Sequence, residues 1–183
     1  MWQPLMVQLT ETYRLRCIAP DRRGFGRSDW NGLQPDRSEI DYEVFARDVV
    51  DLLETIKVGK FIFVAASMAG GESLLAYTSS DYFPQATPRE MWNQVIGAIR
   101  QDRVGFFADS FKGPLGIGNN QVPAKTLERF ERMAEAADAV AVERAMQIFT
   151  HYDFSEKLAA LGQESDVPIL ILHGDSDAGT PVE

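Results

Sequence analysis

The sequence predicts an α/β fold, in which a parallel sheet carries helices on its two faces. Short apolar runs recur at residues 16–19, 61–66 and 168–172, and segments with helical periodicity lie between them. Strands that alternate with helices are typical of a parallel sheet. We therefore expect Cys17, Val64 and Ile171 to lie on three parallel strands of one sheet.

The helices are predicted from apolar residues at intervals of three and four. A short helix is expected near residues 2–13, and an amphipathic helix at 41–57, with Gly59 suited to its end. Another helix is expected at 68–78. Together with the apolar runs, these segments describe a core with helices on both faces of the sheet.

Residues 85–165 have a different pattern, mostly helical, with helices expected at 88–100, 127–149 and 155–161. Between the first two, residues 112–123 are rich in Gly and Asn, which favours a loop. The apolar side chains of this region could line a pocket, but for most of them packing of helix on helix is the favoured interpretation. They are Met91, Trp92, Phe106, Phe107, Phe111, Phe130, Met133, Met146 and Phe149.

Composition limits the class of protein. A chain of 183 residues is the size of one domain. The net charge of −9 disfavours nucleic acids and anionic membranes as partners. No apolar stretch approaches the ~20 residues of a membrane span, and the first residues do not match a signal peptide. The single cysteine, Cys17, cannot form an internal disulfide, so a reducing, cytoplasmic location is expected.

One short motif indicates a catalytic serine. The apolar run Phe61-Ile62-Phe63-Val64-Ala65-Ala66 stops at Ser67, and a predicted helix follows. This is the layout of a nucleophile elbow, a strained turn that lifts a serine hydroxyl above a sheet. Ala65 and Ala69 stand where the pattern usually has glycine. The alternative is an ordinary strand–turn–helix with a solvent-facing serine.

Two further motifs accompany the elbow. The string Ala19-Pro20-Asp21-Arg22-Arg23-Gly24-Phe25-Gly26-Arg27-Ser28-Asp29 follows the first apolar run, and Ile169-Leu170-Ile171-Leu172-His173-Gly174-Asp175-Ser176-Asp177 ends the last one. In this order the three motifs resemble the α/β-hydrolase superfamily, in particular its branch of cofactor-free haloperoxidases and esterases. The resemblance covers nearly the whole chain.

The resemblance implies site residues and domains. It assigns Ser67 as the nucleophile, Asp177 as the triad acid, and the backbone N–H of Met68 as an oxyanion-hole donor. Asp177 could instead be only a turn residue, as Asp175 is expected to be. Residues 1–84 would form a partial hydrolase core, 85–165 a helical cap, and 166–183 a core strand and acid loop. No metal or organic cofactor is implied.

The sequence departs from the family in three respects. Its only histidines are His151 and His173, and neither follows Asp177, where the family has its base. The loop for a second oxyanion donor, expected before the Cys17 run, has no counterpart here. Residues 77–88 lack the apolar run of a further strand. We therefore expect an α/β-hydrolase-like sheet that is incomplete, truncated at both ends and internally, beneath a helical cap.

The expected function is hydrolysis of an ester or similar acyl bond, impaired by the absence of the base histidine. His151 is a conceivable substitute base. The alternative is a non-catalytic remnant that binds a small apolar ligand or a protein partner. The expected partner is an apolar small-molecule substrate, and a homo-oligomer is compatible with unpaired strands. Nucleotide binding is disfavoured, since neither Gly24-Phe25-Gly26 nor Gly116-Ile117-Gly118 opens a helix after a strand.

Overall fold

The computed structural model describes residues 2–29, 42–66, 87–112, 122–151, 155–164 and 166–175. In these ranges the ordered elements are all helices. They are α1 (Gln3–Tyr13), α2 (Tyr42–Thr55), α3 (Arg89–Gln101), α4 (Arg103–Lys112), α5 (Ala124–Glu135), α6 (Ala139–His151) and α7 (Ser155–Glu164). The helix expected at 68–78 and most of the loop expected at 112–123 lie outside the described residues.

The first two helices match their predicted ranges closely, but the end of α2 differs in detail. Lys57, rather than Gly59, takes the left-handed conformation, with φ of 55°. Its N–H donates to Glu54 O, and the N–H of Val58 donates to Leu53 O. This pair of bonds is a Schellman motif, which satisfies carbonyls that the helix would otherwise leave exposed. The helix therefore ends before Gly59 can act as its stop.

Aspartates divide the second half of the chain into more helices than the sequence pattern predicted. The single helix expected at 127–149 is wrong, because Asp138 begins a new helix by accepting the N–H groups of Val140 and Ala141, each at 2.9 Å. Asp102 begins α4, a helix that was not predicted, by accepting the N–H of Gly105 at 3.0 Å. Both side chains satisfy first-turn donors that have no partner within the helix.

The helices α3, α4, α5 and α6 pack against one another: α3 contacts α6 and α4, and α4 contacts α5. Arg103, the first residue of α4, reaches the end of α5, where its guanidinium donates to the carbonyls of Glu135 and Ala137. Arg100 on α3 forms an ion pair with Glu143 on α6. The buried apolar side chains of this group come from α3 and α6: Ile96, Ile99, Ala141, Val142, Ala145 and Ile148.

Helix α2 joins this group through its one buried residue, Phe45, which packs with Ile148 of α6 and with Tyr42. Ile148 is only 1% exposed. A second link is the ion pair between Glu43 of α2 and Lys157 of α7. Helix α2 is therefore anchored on the helical region 85–165.

The three apolar runs that were predicted as strands form no ladder within the described ranges. The expected pairing of Cys17, Val64 and Ile171 is thus not found there. The second and third runs are exposed: Ile62 is 84% and Leu170 is 82% accessible. A strand gains its stability from hydrogen-bonded neighbours and a covered face, and neither is present for these runs among the described residues.

Candidate active site

The predicted catalytic residues Ser67, Met68 and Asp177 lie outside the described residues. The structure describes the segments that lead to two of them, 61–66 before Ser67 and 166–175 before Asp177. Both segments present apolar side chains to solvent, including Phe63 and Leu172. The catalytic roles of these residues therefore stay predictions.

The Gly-rich loop of the first motif, here residues 20–29, contains two consecutive turns. The N–H of Phe25 donates to Arg22 O at 2.9 Å, and the N–H of Ser28 donates to Phe25 O at 3.0 Å. Gly24 and Gly26 have φ of 75° and 57°, which other residues adopt at a cost. A Cβ at Gly26 would also lie 2.4 Å from Cγ of Asp21. The two glycines are thus required by the shape of the loop.

An ion pair fastens this loop to α2. Arg23 Nε donates to Asp48 Oδ2 at 2.7 Å, and its Nη2 donates to Oδ1 of the same carboxylate. The hydrogen bond to Asp48 raises the pKa of Arg23, whose side chain is 13% exposed. Two parallel bonds between a guanidinium and a carboxylate fix both distance and orientation. The pair therefore holds the loop in one position on the helix.

The neighbouring Arg22 is held in a different way. Its guanidinium carbon lies 5.0 Å from the ring centroid of Phe25 and 5.1 Å from that of Phe45. These are cation–π distances. Burial lowers the pKa of Arg22, and the nearby Tyr42 partly opposes that effect. Arg22 is thus held between the loop and α2 by contacts with aromatic rings, whereas Arg23 is held there by an ion pair.

The loop and α2 enclose a cleft of about 410 Å³. Its lining includes the charged side chains of Arg22, Arg23 and Asp48 and the apolar side chains of Val49 and Leu52 of α2. Sequence reasoning treated the loop only as a motif and missed this cleft. The available signal was the Arg22-Arg23 pair before Gly24, with Asp48 on the helix that follows.

The aromatic side chains of α4 and α5 contact one another. The rings of Phe106 and Phe107 meet edge to face with centroids 5.6 Å apart, and Phe111 lies 6.4 Å from both Phe107 and Phe130. Aromatic pairs at such distances stabilise helix packing. The first two pairs lie within α4, and the Phe111–Phe130 pair joins α4 to α5. For Phe111 and Phe130 the structure therefore agrees with packing of helix on helix, the interpretation that the sequence favoured.

Among the residues that the structure describes, no group of three metal-ligating side chains comes together. Within the same ranges, none of the helices has the length and apolar character needed to cross a membrane.

The ion pair between loop and helix leads to a stability prediction. Replacement Asp48→Asn removes the charge that Arg23 faces and leaves that guanidinium partly buried without a carboxylate. We expect the free energy of unfolding to fall by about 1–3 kcal/mol, measured by urea denaturation. Asp51→Asn, an exposed position on the same helix, is the matched control and should change it by less than about 0.5 kcal/mol. Equal effects of the two variants would contradict a fastening role for Asp48.

Comparison with known proteins finds similarity to α/β-hydrolases. The family model described as the alpha/beta hydrolase fold matches residues 1–85. The non-heme chloroperoxidase CPO-A1 of Kitasatospora aureofaciens is 29% identical over 194 residues, which cover 92% of this chain and 66% of that protein. The bifunctional esterase/perhydrolase DCH of Acinetobacter calcoaceticus is 28% identical, with the same coverage. The chain spans about two thirds of the length of these relatives.

A solved structure supports the same assignment. The chain resembles the crystal structure of bromoperoxidase from Bacillus anthracis with a TM-score of 0.71 and 24% sequence identity, over 88% of this chain and 64% of that one. This likeness shows the fold, an α/β-hydrolase fold. The sequence matches and the fold agree: the chain has an α/β-hydrolase fold and is similar to the chloroperoxidase and the esterase/perhydrolase over most of its length.

Proposed function

We propose that this chain derives from a serine hydrolase of ester or similar acyl bonds and keeps its nucleophile, Ser67. The observation that carries the proposal is similarity over 92% of the chain to an esterase/perhydrolase, together with Ser67 directly after the apolar segment 61–66. The activity named for this relative indicates the kind of bond that we propose is attacked, an ester or similar acyl bond. An apolar small molecule is the substrate that we propose.

The proposed chemistry assigns one role to each predicted residue. Ser67 Oγ attacks the acyl carbon while a base takes its proton, and the leaving alcohol departs with a proton from that base. Water then attacks the acyl-serine by the same route and releases the acid. The backbone N–H of Met68 stabilises the oxyanion, and Asp177 orients the base.

The base is the weak part of this constellation. The sequence contains only His151 and His173, and the six residues after Asp177 contain none. His151 is the last residue of α6, and His173 precedes the predicted acid by four positions. We propose that hydrolysis by these 183 residues alone is impaired, because they supply no histidine after Asp177.

A non-catalytic function is the second candidate, and one observation favours it. The apolar segments that precede Ser67 and Asp177 in the sequence are strongly exposed, with Ile62 and Leu170 more than four-fifths accessible. Exposed apolar patches of several side chains commonly mark binding surfaces. In this alternative the chain binds an apolar ligand or a protein through those segments and does not turn it over.

Covalent labelling tests the nucleophile without requiring turnover. We expect a fluorophosphonate probe to modify the chain slowly, because a serine without an effective base is a weak nucleophile, and mass spectrometry to place the label on Ser67. Ser67→Ala should abolish labelling, while Ser28→Ala, in the Gly-rich loop, should leave it unchanged. Modification spread over several serines, or unaffected by Ser67→Ala, would remove the basis for the serine-hydrolase proposal and favour the binding function.

A further inference from the structure

The cleft between the Gly-rich loop and α2 contains a cation whose charge the described residues leave unmatched. Arg22 lines the cleft and lies over two phenyl rings. Within the described ranges its guanidinium donates no hydrogen bond to a protein acceptor. A guanidinium has five N–H donors, and a half-buried one without acceptors is costly.

The other charged groups of the cleft are largely committed. Asp48 accepts both of its bonds from Arg23. Asp21 accepts the N–H of Arg27 at 3.1 Å and lies 3.7 Å from the Nε of the same residue. Two of the three carboxylates therefore face other arginines, and Arg22 remains the cation available to a ligand. The third, Asp29, also lines the cleft.

We propose that this cleft binds a small carboxylate through Arg22. The rings of Phe25 and Phe45 lie against the guanidinium, so a ligand is best received at its N–H edges. A planar carboxylate matches that edge with two parallel bonds. Pro20, Val49 and Leu52 supply an apolar wall for a short carbon chain. The volume of about 410 Å³ lies in the range of small-ligand sites.

Two further features agree with this assignment. Burial lowers the pKa of Arg22 and outweighs the opposing effect of Tyr42. Arg27 is almost fully exposed, at 96%, and its ion pair with Asp21 is long. Surface pairs of this kind contribute little, so Arg27 can turn towards a second oxygen of the ligand. The site uses none of Ser67, Met68 and Asp177, and its failure would leave the proposed hydrolase function untouched.

The test uses butyrate as the probe and butyramide, its neutral isostere, as the control ligand. Binding is followed by two-dimensional NMR of the full chain at constant ionic strength. We expect saturable shifts at the amides of 22–28 with butyrate, and affinity for butyramide weaker by about tenfold or more, since the charge-assisted bonds are lost. Equal affinity for the two molecules would overturn the proposal.

Variants then assign the effect to Arg22. Arg22→Gln should weaken butyrate binding by about tenfold or more, and Arg22→Lys should weaken it less, since charge remains but the planar fork is lost. Arg100→Gln, which alters an arginine paired with Glu143 on α3, should have no effect. Unchanged affinity in Arg22→Gln would overturn the assignment.

Asp29→Asn provides a measurement that does not depend on the folding of the Arg22 variants. It removes a negative charge from the wall of the cleft, so butyrate should bind roughly threefold more tightly. Butyramide affinity should stay the same. Unchanged or weaker binding of butyrate in this variant would contradict an anion site at this position.

Discussion

The purified 183-residue chain should hydrolyse p-nitrophenyl acetate about a million-fold more slowly than a serine hydrolase with an intact triad. Loss of triad members in such enzymes has an effect of that order, because the serine keeps its proton and the acyl transfer stalls. In this chain neither His151 nor His173 follows Asp177, where the resemblance places the base. Initial rates at several substrate concentrations, compared with buffer alone, are the measurement.

Three variants show how this rate is to be interpreted. If turnover is near background, Ser67→Ala should leave it unchanged, and covalent labelling is then the measurement that tests Ser67 as the nucleophile. Turnover well above background that vanishes in Ser67→Ala would contradict the impairment while supporting the nucleophile. His151→Ala would then show whether that histidine has been recruited as the base, and His173→Ala is its matched control.

The sequence predicted the positions of most helices because their signal is local. In α2 the apolar residues repeat at helical spacing, and its observed bounds, Tyr42–Thr55, lie within the predicted 41–57. The errors occurred where a single side chain divides a helical pattern. Asp138 lies within a stretch whose pattern predicts one continuous helix, and Asp102 lies in a stretch for which no helix was predicted. Only the bonds that their side chains accept from N–H groups two or three residues later reveal new helices.

Features that join distant parts of the chain were harder to predict. Arg23 and Asp48 are 25 positions apart, and no periodicity links a loop residue to one helix face. The strand prediction has the same difficulty, because a β-strand is defined by a neighbour that can lie anywhere in the sequence. The runs at 61–66 and 168–172 have the composition of buried strands, yet composition does not state which segment pairs with them.

The predicted site could be named from the sequence only through the resemblance. Ser67 follows an apolar run and stands between small residues, which is a local pattern, but Asp177 acquires a role only from its place in the family's motif. The cleft at Arg22 was not predicted, since it depends on how Phe25 and Phe45 meet across the loop. Elementary chemistry explains that cleft once the contacts are known.

The exposed apolar segments lead to a second large effect, on the state of the chain in solution. Ile62, Leu170 and Leu172 are each at least 80% accessible. No strand among the described residues pairs with their segments, and strand-like segments of this composition readily pair with other chains when their edges are open. We expect the chain to bind hydrophobic dyes strongly and to elute in size-exclusion chromatography as a species larger than its 20.5 kDa monomer. The net charge of −9 opposes association but does not satisfy unpaired backbone groups.

Charge substitutions test whether the exposed apolar segments cause the dye binding and the large apparent size. Leu170→Glu places a charge in the centre of the third segment and should lower both dye fluorescence and apparent size, because a charge at an unpaired edge blocks pairing. Val50→Glu alters a half-exposed apolar residue of α2 and should change neither. A compact monomer that unfolds in one sharp transition and binds no dye would show instead that the segments at 61–66 and 168–172 are covered within the chain. The proposed self-association would then be wrong, and a three-stranded sheet closed upon itself would take its place.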